Sequence, residues 1–226
     1  MTGGRQLSAA VQAGALQAQV ECLPVTNGSP LMPVQCGCPH LQLLPGFFSA
    51  DDNERLFQRL RWEQHWPDNR YQMAGRQFEL PRLQTWHADP GIVYRYSNNL
   101  LASRPWTPLL LAIRRRLELQ LGVRFNAVLV NYYRTGEDHV GWHSDDEPEL
   151  GPQPFIASLS LGAERRFAYR HRSLPVQGSL SLPGGSLLTM APDFQHEWLH
   201  SVPSQPGLAA GRINLTWRVV LPPPDA

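Results

Sequence analysis

Cysteine is scarce in this chain. The three that occur in 226 residues, Cys22, Cys36 and Cys38, all precede residue 40. An odd, clustered set is a poor disulfide framework, which suits a reducing compartment. Cys36, Cys38 and His40 match no common zinc spacing and read as part of a flexible segment. Long apolar runs are missing too: none could span a bilayer, and no charged-then-apolar leader opens the sequence. The protein is expected to be soluble, unexported and independent of membranes. An excess of one charge is the third absence. The formal net charge is +1, so no global basic field announces nucleic acid and only local patches could carry that argument.

What is present suits a single domain. The chain is 42% hydrophobic and 17% charged, long enough for a sizeable core. Residues 1–40 are rich in Gln, Ala, Gly, Ser and Pro without a clear period, so a disordered tail is expected there, with one domain over 41–222. The first helix is expected after Ser49, a plausible N-cap followed by acidic residues, with Leu56, Phe57 and Leu60 at helical spacing. The second is "TPLLLAIRRRLELQLG", capped by Thr107, opened by Pro108 and stopped by Gly122. Its Arg114, Arg115 and Arg116 read as a solvated face. After Gly122 come short β-rich segments such as "FNAVLVNYY", "FIASLSLG", "RRFAYRHR" and "RINLTWRVV", separated by turn residues. The fold class is therefore α+β, mainly β: a sandwich or jelly roll backed by helices.

One motif invites a different function. "HEWLH", His196 to His200, fits H-E-x-x-H, in which a helix aims two His at zinc and the Glu is a general base. Yet the segment lies between Pro192 and Pro203, and Trp198 with the following Ser-Val favours strand. In a strand His196 and His200 would stand ~13 Å apart, too far to share a metal bonded at about 2.1 Å. A strand is expected here, with at most one of the two as a ligand.

A better set lies in "GWHSDDEPELG". His143-x-Asp145 in extended chain sends imidazole and carboxylate to one side. One His from a distant strand would complete the two-His, one-carboxylate triad of non-haem Fe(II) oxygenases. In "RINLTWRVV" the residues Arg212, Asn214, Thr216 and Arg218 alternate with apolar ones. If that face is buried, its two Arg demand anions. Their guanidinium groups, leaning together, would suit a small diacid. Asn131 and Tyr133 on one face of "VNYY" could also bind a carboxylate. Fe(II) with a dicarboxylate points to 2-oxoglutarate, with O2 as co-substrate.

On these residues the sequence resembles the AlkB family of Fe(II)/2-oxoglutarate nucleic-acid dealkylases, nearest to the type of its eukaryotic homologues two and three. The pieces are "NYYRTGEDHVGWHSDDEPELG", "FIASLSLGAERRFAYRHR", "LPGGSLLTMAPDFQHEWLHSVP" and "RINLTWRVV", within a likeness running from about Leu43 to Val220. The resemblance implies a double-stranded β-helix. It implies iron on His143, Asp145 and His200, and 2-oxoglutarate on Asn131, Tyr133, Arg212, Asn214 and Arg218. It further implies a substrate base, such as 1-methyladenine or 3-methylcytosine, flipped into a pocket, with release of formaldehyde, succinate and CO2. Arg82, Tyr94, Tyr96, Ser97, Asp146 and Glu147 fall where the family holds that base, Tyr96 stacking on it.

"QMAGRQF" stands where duplex-active members carry a bulky finger, and its Met73 can wedge between bases while Ala74 is small. This puts strong duplex preference in doubt. Met73, Arg76, Arg165, Arg166 and Arg170 are the expected contacts to the nucleic acid. The partner is alkylated DNA, with RNA as a second possibility, and the protein is expected to be a monomer in the cytoplasm, at the nucleoid or in the nucleus according to the host. The rival readings are an oxygenase of the same core acting on protein or lipid, and a non-catalytic nucleic-acid-binding module.

Overall fold

The computed structural model describes residues 32–33, 38–67, 70–73, 76–96, 99–100 and 103–221. Strands β1 (Met32–Pro33) and β2 (Leu41–Leu44) precede helix α1 (Ala50–Glu63). Then come β3 (Arg70–Met73), β4 (Arg76–Glu79), β5 (Leu83–Ala88), β6 (Arg95–Tyr96), β7 (Asn99–Leu100) and helix α2 (Pro108–Leu121). The C-terminal half holds β8 (Ala127–Tyr133), β9 (Val140–His143), β10 (Ile156–Gly162), β11 (Arg165–His171), β12 (Gln177–Leu182), β13 (Leu187–Met190), a short helix α3 (Pro192–Glu197), β14 (Trp198–Val202) and β15 (Arg212–Arg218).

A seven-stranded sheet runs β1-β2-β13-β10-β15-β8-β5, and a four-stranded sheet runs β12-β11-β14-β9. Side chains from both sheets, among them Leu129, Leu188, Phe167, Tyr169 and Trp198, share one buried core. This is the expected jelly roll. Two hairpins, β3-β4 and β6-β7, stand apart from it in the pairing. Ordered chain reaches upstream of the boundary expected at residue 40, because Met32 and Pro33 pair with Leu43 and Gln42, and Cys38 is buried. Cys22 and Cys36 lie outside the described residues. Among the described residues no helix is long and apolar enough to cross a membrane.

The helix signals in the sequence act as read. Ser49 Oγ accepts a hydrogen bond from the Asp52 N–H at 3.1 Å and so satisfies one of the amides that the first turn leaves open. Leu56, Phe57 and Leu60 are buried, and Phe57 meets Tyr132 of β8 edge-on. Trp106–Arg124 belong to a second compact unit. Within it Thr107 Oγ1 accepts from the Leu110 N–H, and Gly122 ends α2 in the left-handed region, φ 68°. The three consecutive Arg of α2 are not one solvated face. Arg115 is exposed, but Arg116 is buried, and Arg114 bonds Glu118 one turn on.

Strand alternation then decides where the site sits. On β15 Ile213, Leu215 and Trp217 pair beside Leu161, Leu159 and Ala157 of β10, on the sheet face that α1 covers. Arg212, Asn214, Thr216 and Arg218 point the other way, between the sheets, and all seven residues of β15 are buried. Gly162 closes the turn after β10 at φ +84°. A Cβ there would lie 2.6 Å from Gly211 O and 2.7 Å from the Phe57 ring. Gly162→Ala is therefore expected to destabilise the fold by more than about 1 kcal/mol, read as a lower urea midpoint with unchanged slope.

Candidate active site

The cleft between the sheets is lined from the large sheet by Leu129, Asn131, Tyr133, Ser158, Arg212, Asn214, Thr216 and Arg218. The small sheet and its loops supply His143, Asp145, Phe167, His200 and Val202, and Arg82 closes one side. At one end His143 of β9 lies directly opposite His200 of β14 in the antiparallel register. Their rings are 4.2 Å apart. His143 Nδ1–H donates to Gly141 O at 2.9 Å, so the other ring nitrogen keeps its lone pair for a Lewis acid. His200 is flanked by Phe167, ring to ring at 5.3 Å, and among the described residues its buried Nδ1 has no hydrogen-bond partner. Burial pushes His143 down, and burial with the neighbouring His143 pushes His200 down to about 3. Both are neutral at pH 7, the form a metal needs.

Asp145 supplies the carboxylate. Burial alone would raise its pKa, but the Arg218 guanidinium and the two imidazoles hold it down to about 2. Arg218 Nη2 donates to Asp145 Oδ1 at 2.7 Å, with both side chains at most 2% exposed. Gln195 of α3, fully buried, accepts the Asp145 backbone N–H at 3.0 Å. The carboxylate is thus fixed from both sides. Among the described residues no three His, Cys, Asp or Glu groups already stand as a closed metal-ligand set. Two neutral imidazoles and one ionised carboxylate facing one cleft are nevertheless the donor types of a facial triad.

Toward the other end stands Arg212. Its Nη2 donates to Ser160 Oγ at 2.8 Å, and its Cζ lies 5.3 Å from the Tyr133 ring centroid. Among the described residues its Nε and Nη1 are buried with no hydrogen-bond partner. Burial pulls this guanidinium down to about 10, so it remains charged at pH 7. A buried cation with two idle donors is costly unless an anion meets it. Asn131 accepts from Arg82 Nε at 3.0 Å. Asn214 gives its amide hydrogens to Ser158 Oγ and Leu159 O and accepts from Thr216 Oγ1. Asn214 is therefore held by the protein itself. The two Arg do not lean together: Arg218 serves Asp145 and Arg212 serves the Tyr133–Ser160 end.

The residues implied for the base pocket divide. Glu147, beside Tyr94, is pushed up to about 7 by burial and then by Asp145. Tyr94 is wholly buried, stacked on Trp86 at 4.5 Å with Arg218 over its ring. It packs behind Arg218 and offers no face to a base. Asp146 accepts from Arg172 Nη2 at 2.6 Å, and Arg172 also bonds Ser144 Oγ and Gln195 O. Arg172 thereby ties the loop after His143 to α3. Tyr96 lies on β6, Met73 ends β3 and Arg76 opens β4. Ser97 and Ala74 lie outside the described residues.

Two further expectations are overturned. "HEWLH" is half helix and half strand: α3 ends at Glu197 and β14 begins at Trp198. His196 Nε2 bonds Pro152 O, away from the cleft, and Glu197 lies 3.6 Å from His40. Arg165 cannot touch a phosphate either. It is 1% exposed and donates to Gln205 Oε1, Thr135 O, Gly136 O, Asp138 O and Pro203 O at 2.7–3.5 Å. Its neighbour in the sequence, Arg166, is exposed, as is Arg170. Arg165→Ala would strand these buried acceptors. A loss of about 3–5 kcal/mol in chemical denaturation is expected, with Arg165→Lys intermediate because an ammonium cannot span the same fork.

Sequence reasoning missed Ser160 and Gln195. Ser160 was open to discovery, since Ser158 and Ser160 alternate with Leu159 and Leu161 and must share the polar face of β15. Gln195 gave no signal, because its use depends on how α3 docks.

Comparison with known proteins shows the family. Residues 40–218 match the family model of the 2OG-Fe(II) oxygenase superfamily. The chain is 38% identical over 187 residues to DNA oxidative demethylase ALKBH2 of Bos taurus, covering 77% of this chain and 67% of that protein. It is 34% identical over 198 residues to the alpha-ketoglutarate-dependent dioxygenase alkB homolog 3 of Homo sapiens, covering 83% and 68%. The solved structure of OsALKBH1 superposes with TM-score 0.58 at 21% identity, over 81% of this chain and all of that one, a likeness of fold.

Proposed function

Because the chain belongs to the 2OG-Fe(II) oxygenase superfamily, and within it to the AlkB family, we propose that it oxidatively demethylates N-alkylated bases of DNA. Fe(II) and 2-oxoglutarate would be held side by side in the cleft between its sheets. One observation carries this reading. A pair of neutral, facing imidazoles with an ionised carboxylate shares a single cleft with a buried Arg212 whose Nε and Nη1 have no hydrogen-bond partner among the described residues. The first group suits a metal that must keep open positions, and the second suits a carboxylate.

Iron with 2-oxoglutarate and O2 would supply the oxidation of an N-methyl carbon, ending in formaldehyde, succinate and CO2. The residues supply the rest. His143, Asp145 and His200 would hold the metal, and Arg218 keeps Asp145 ionised and aimed. Arg212, with Tyr133 and Asn131 beside it, would receive the distal carboxylate of 2-oxoglutarate. Leu129, Phe167 and Met190 line the cleft and limit the water in it. A base methylated on its pairing edge is cationic. Its arrival beside Glu147 would favour the carboxylate form of that residue and be favoured by it.

The finer reading is a monomer acting on 1-methyladenine and 3-methylcytosine in DNA and also in RNA. Tyr96 and Ser97 would line the base pocket, and Met73 and Arg76 would touch the strand. The test is formaldehyde release from single- and double-stranded oligonucleotides carrying either lesion, with methylated peptides as the comparison. Release from the oligonucleotides alone, dependent on both iron and 2-oxoglutarate, is expected. Release from peptides alone would overturn the reading.

A further inference from the structure

The outer face of the four-stranded sheet is built unlike an ordinary solvated surface. Phe167 of β11 points into the cleft, so Arg166, Ala168 and Arg170, which alternate with it, point away, and Trp142 of β9, exposed and lying under the Arg170 guanidinium, shares their side. The register sets Ser181, Ser179 and Gln177 of β12 beside Arg166, Ala168 and Arg170. Ser201 and Leu199 of β14 lie on the other side of Ala168 and Arg170. No strand position on this face carries a carboxylate. Glu164, at its rim, accepts a hydrogen bond from Ser181 Oγ.

The result is a floor of small polar side chains with two exposed Arg and one large aromatic. Trp142 is 42% exposed, although a Trp on an isolated sheet face would ordinarily be covered. Arg170 reaches across β14 and places its Cζ 4.6 Å from the Trp142 ring centroid. Beside them Gly141 leaves open ground, since a Cβ there would meet nothing within 4 Å. β9 is the edge strand of its sheet, and Trp142 directly precedes His143. A chain lying along this edge would pass the metal end of the cleft.

We propose that Trp142 and Arg170, with Arg166, form a binding platform for single-stranded nucleic acid flanking the base under repair: a neighbouring base stacks on Trp142 while the guanidinium groups meet phosphates. The inference rests on the nucleic-acid reading of the cleft. Cation and aromatic side by side, without carboxylates, match the two recurring elements of a single strand, its phosphates and its unstacked base faces. A protein partner would find little apolar surface here, because one Trp and a half-buried Leu199 interrupt an otherwise polar floor.

The test measures binding of an unmodified, dye-labelled single-stranded oligonucleotide by fluorescence anisotropy, with the same sequence as duplex alongside. Trp142→Ala is expected to weaken single-strand binding about 5- to 160-fold, the span of one lost base–aromatic stack, and duplex binding far less. Trp142→Phe should restore most of it. Arg166→Ala and Arg170→Ala should each lower the slope of log affinity against log salt by about 0.7. On the free methylated nucleoside, which cannot reach the platform, Trp142→Ala should lose far less turnover than it does on the oligonucleotide. Single-strand affinity unchanged in Trp142→Ala, or an equal loss for duplex, would overturn the platform. If no demethylation occurs while the Trp142 dependence of binding holds, the proposed reaction fails and the platform stands.

Discussion

Asp145→Ala is expected to abolish demethylation, and its loss should be separable from unfolding. Removing a residue that merely orients a metal ligand lowers metal affinity or activity about 10- to 100-fold. Removing the carboxylate ligand itself should exceed that and fall below detection. Asp145 also has a second duty: it neutralises Arg218 in a pair that solvent hardly reaches. Leaving that guanidinium alone should cost about 3–5 kcal/mol of stability. Asp145→Ala/Arg218→Met removes both charges and should regain much of the stability while staying inactive. His143→Ala provides the complementary case, since it removes a ligand without stranding a charge and should be inactive at near-normal stability. Full turnover in either single variant would refute the triad.

Arg212→Met should separate binding from folding in the opposite sense. Arg212 is a buried cation whose Nε and Nη1 find no partner among the described residues. Replacing it by an apolar side chain of similar length should be neutral or stabilising, because the desolvation of an unpaired charge is relieved. The same change removes a charge-assisted, two-pronged contact to 2-oxoglutarate. Losing such a contact costs about 2–4 kcal/mol, which is about 30- to 1,000-fold in affinity. Calorimetric titration of the Mn(II)-loaded protein should therefore show a large rise in Kd beside an unchanged or higher melting temperature. A general packing role for Arg212 would give the reverse, lower stability with little change in affinity.

The parts of this site that could be read from sequence are those governed by strand alternation. "RINLTWRVV" places Arg212, Asn214, Thr216 and Arg218 on one side by period alone, and that side faces the cleft. Helix caps were equally legible, because Ser49, Thr107 and Gly122 act on the backbone within three or four residues. What escaped depends on long-range packing. Arg165 and Arg166 are adjacent letters, yet the first is a buried tie for the segments 135–138 and 203–205 while the second meets solvent. Only the facing of β11 decides which is which. The leaning of Arg212 toward Arg218 failed for the same reason, since Asp145 arrives from another sheet and takes Arg218. "HEWLH" was rejected as a zinc helix on sound grounds of distance. Its division between α3 and β14 follows from Pro192, which opens a single turn that the strand pairing with β11 then ends.

The most direct test is an anaerobic titration of the Fe(II)-loaded protein with 2-oxoglutarate, followed by the visible charge-transfer absorption that chelation of Fe(II) by a 2-keto acid produces. A band is expected that saturates at one co-substrate per chain, is missing in Asp145→Ala, and in Arg212→Met appears only at much higher 2-oxoglutarate. No band in the unaltered protein, or one that neither substitution changes, would contradict it.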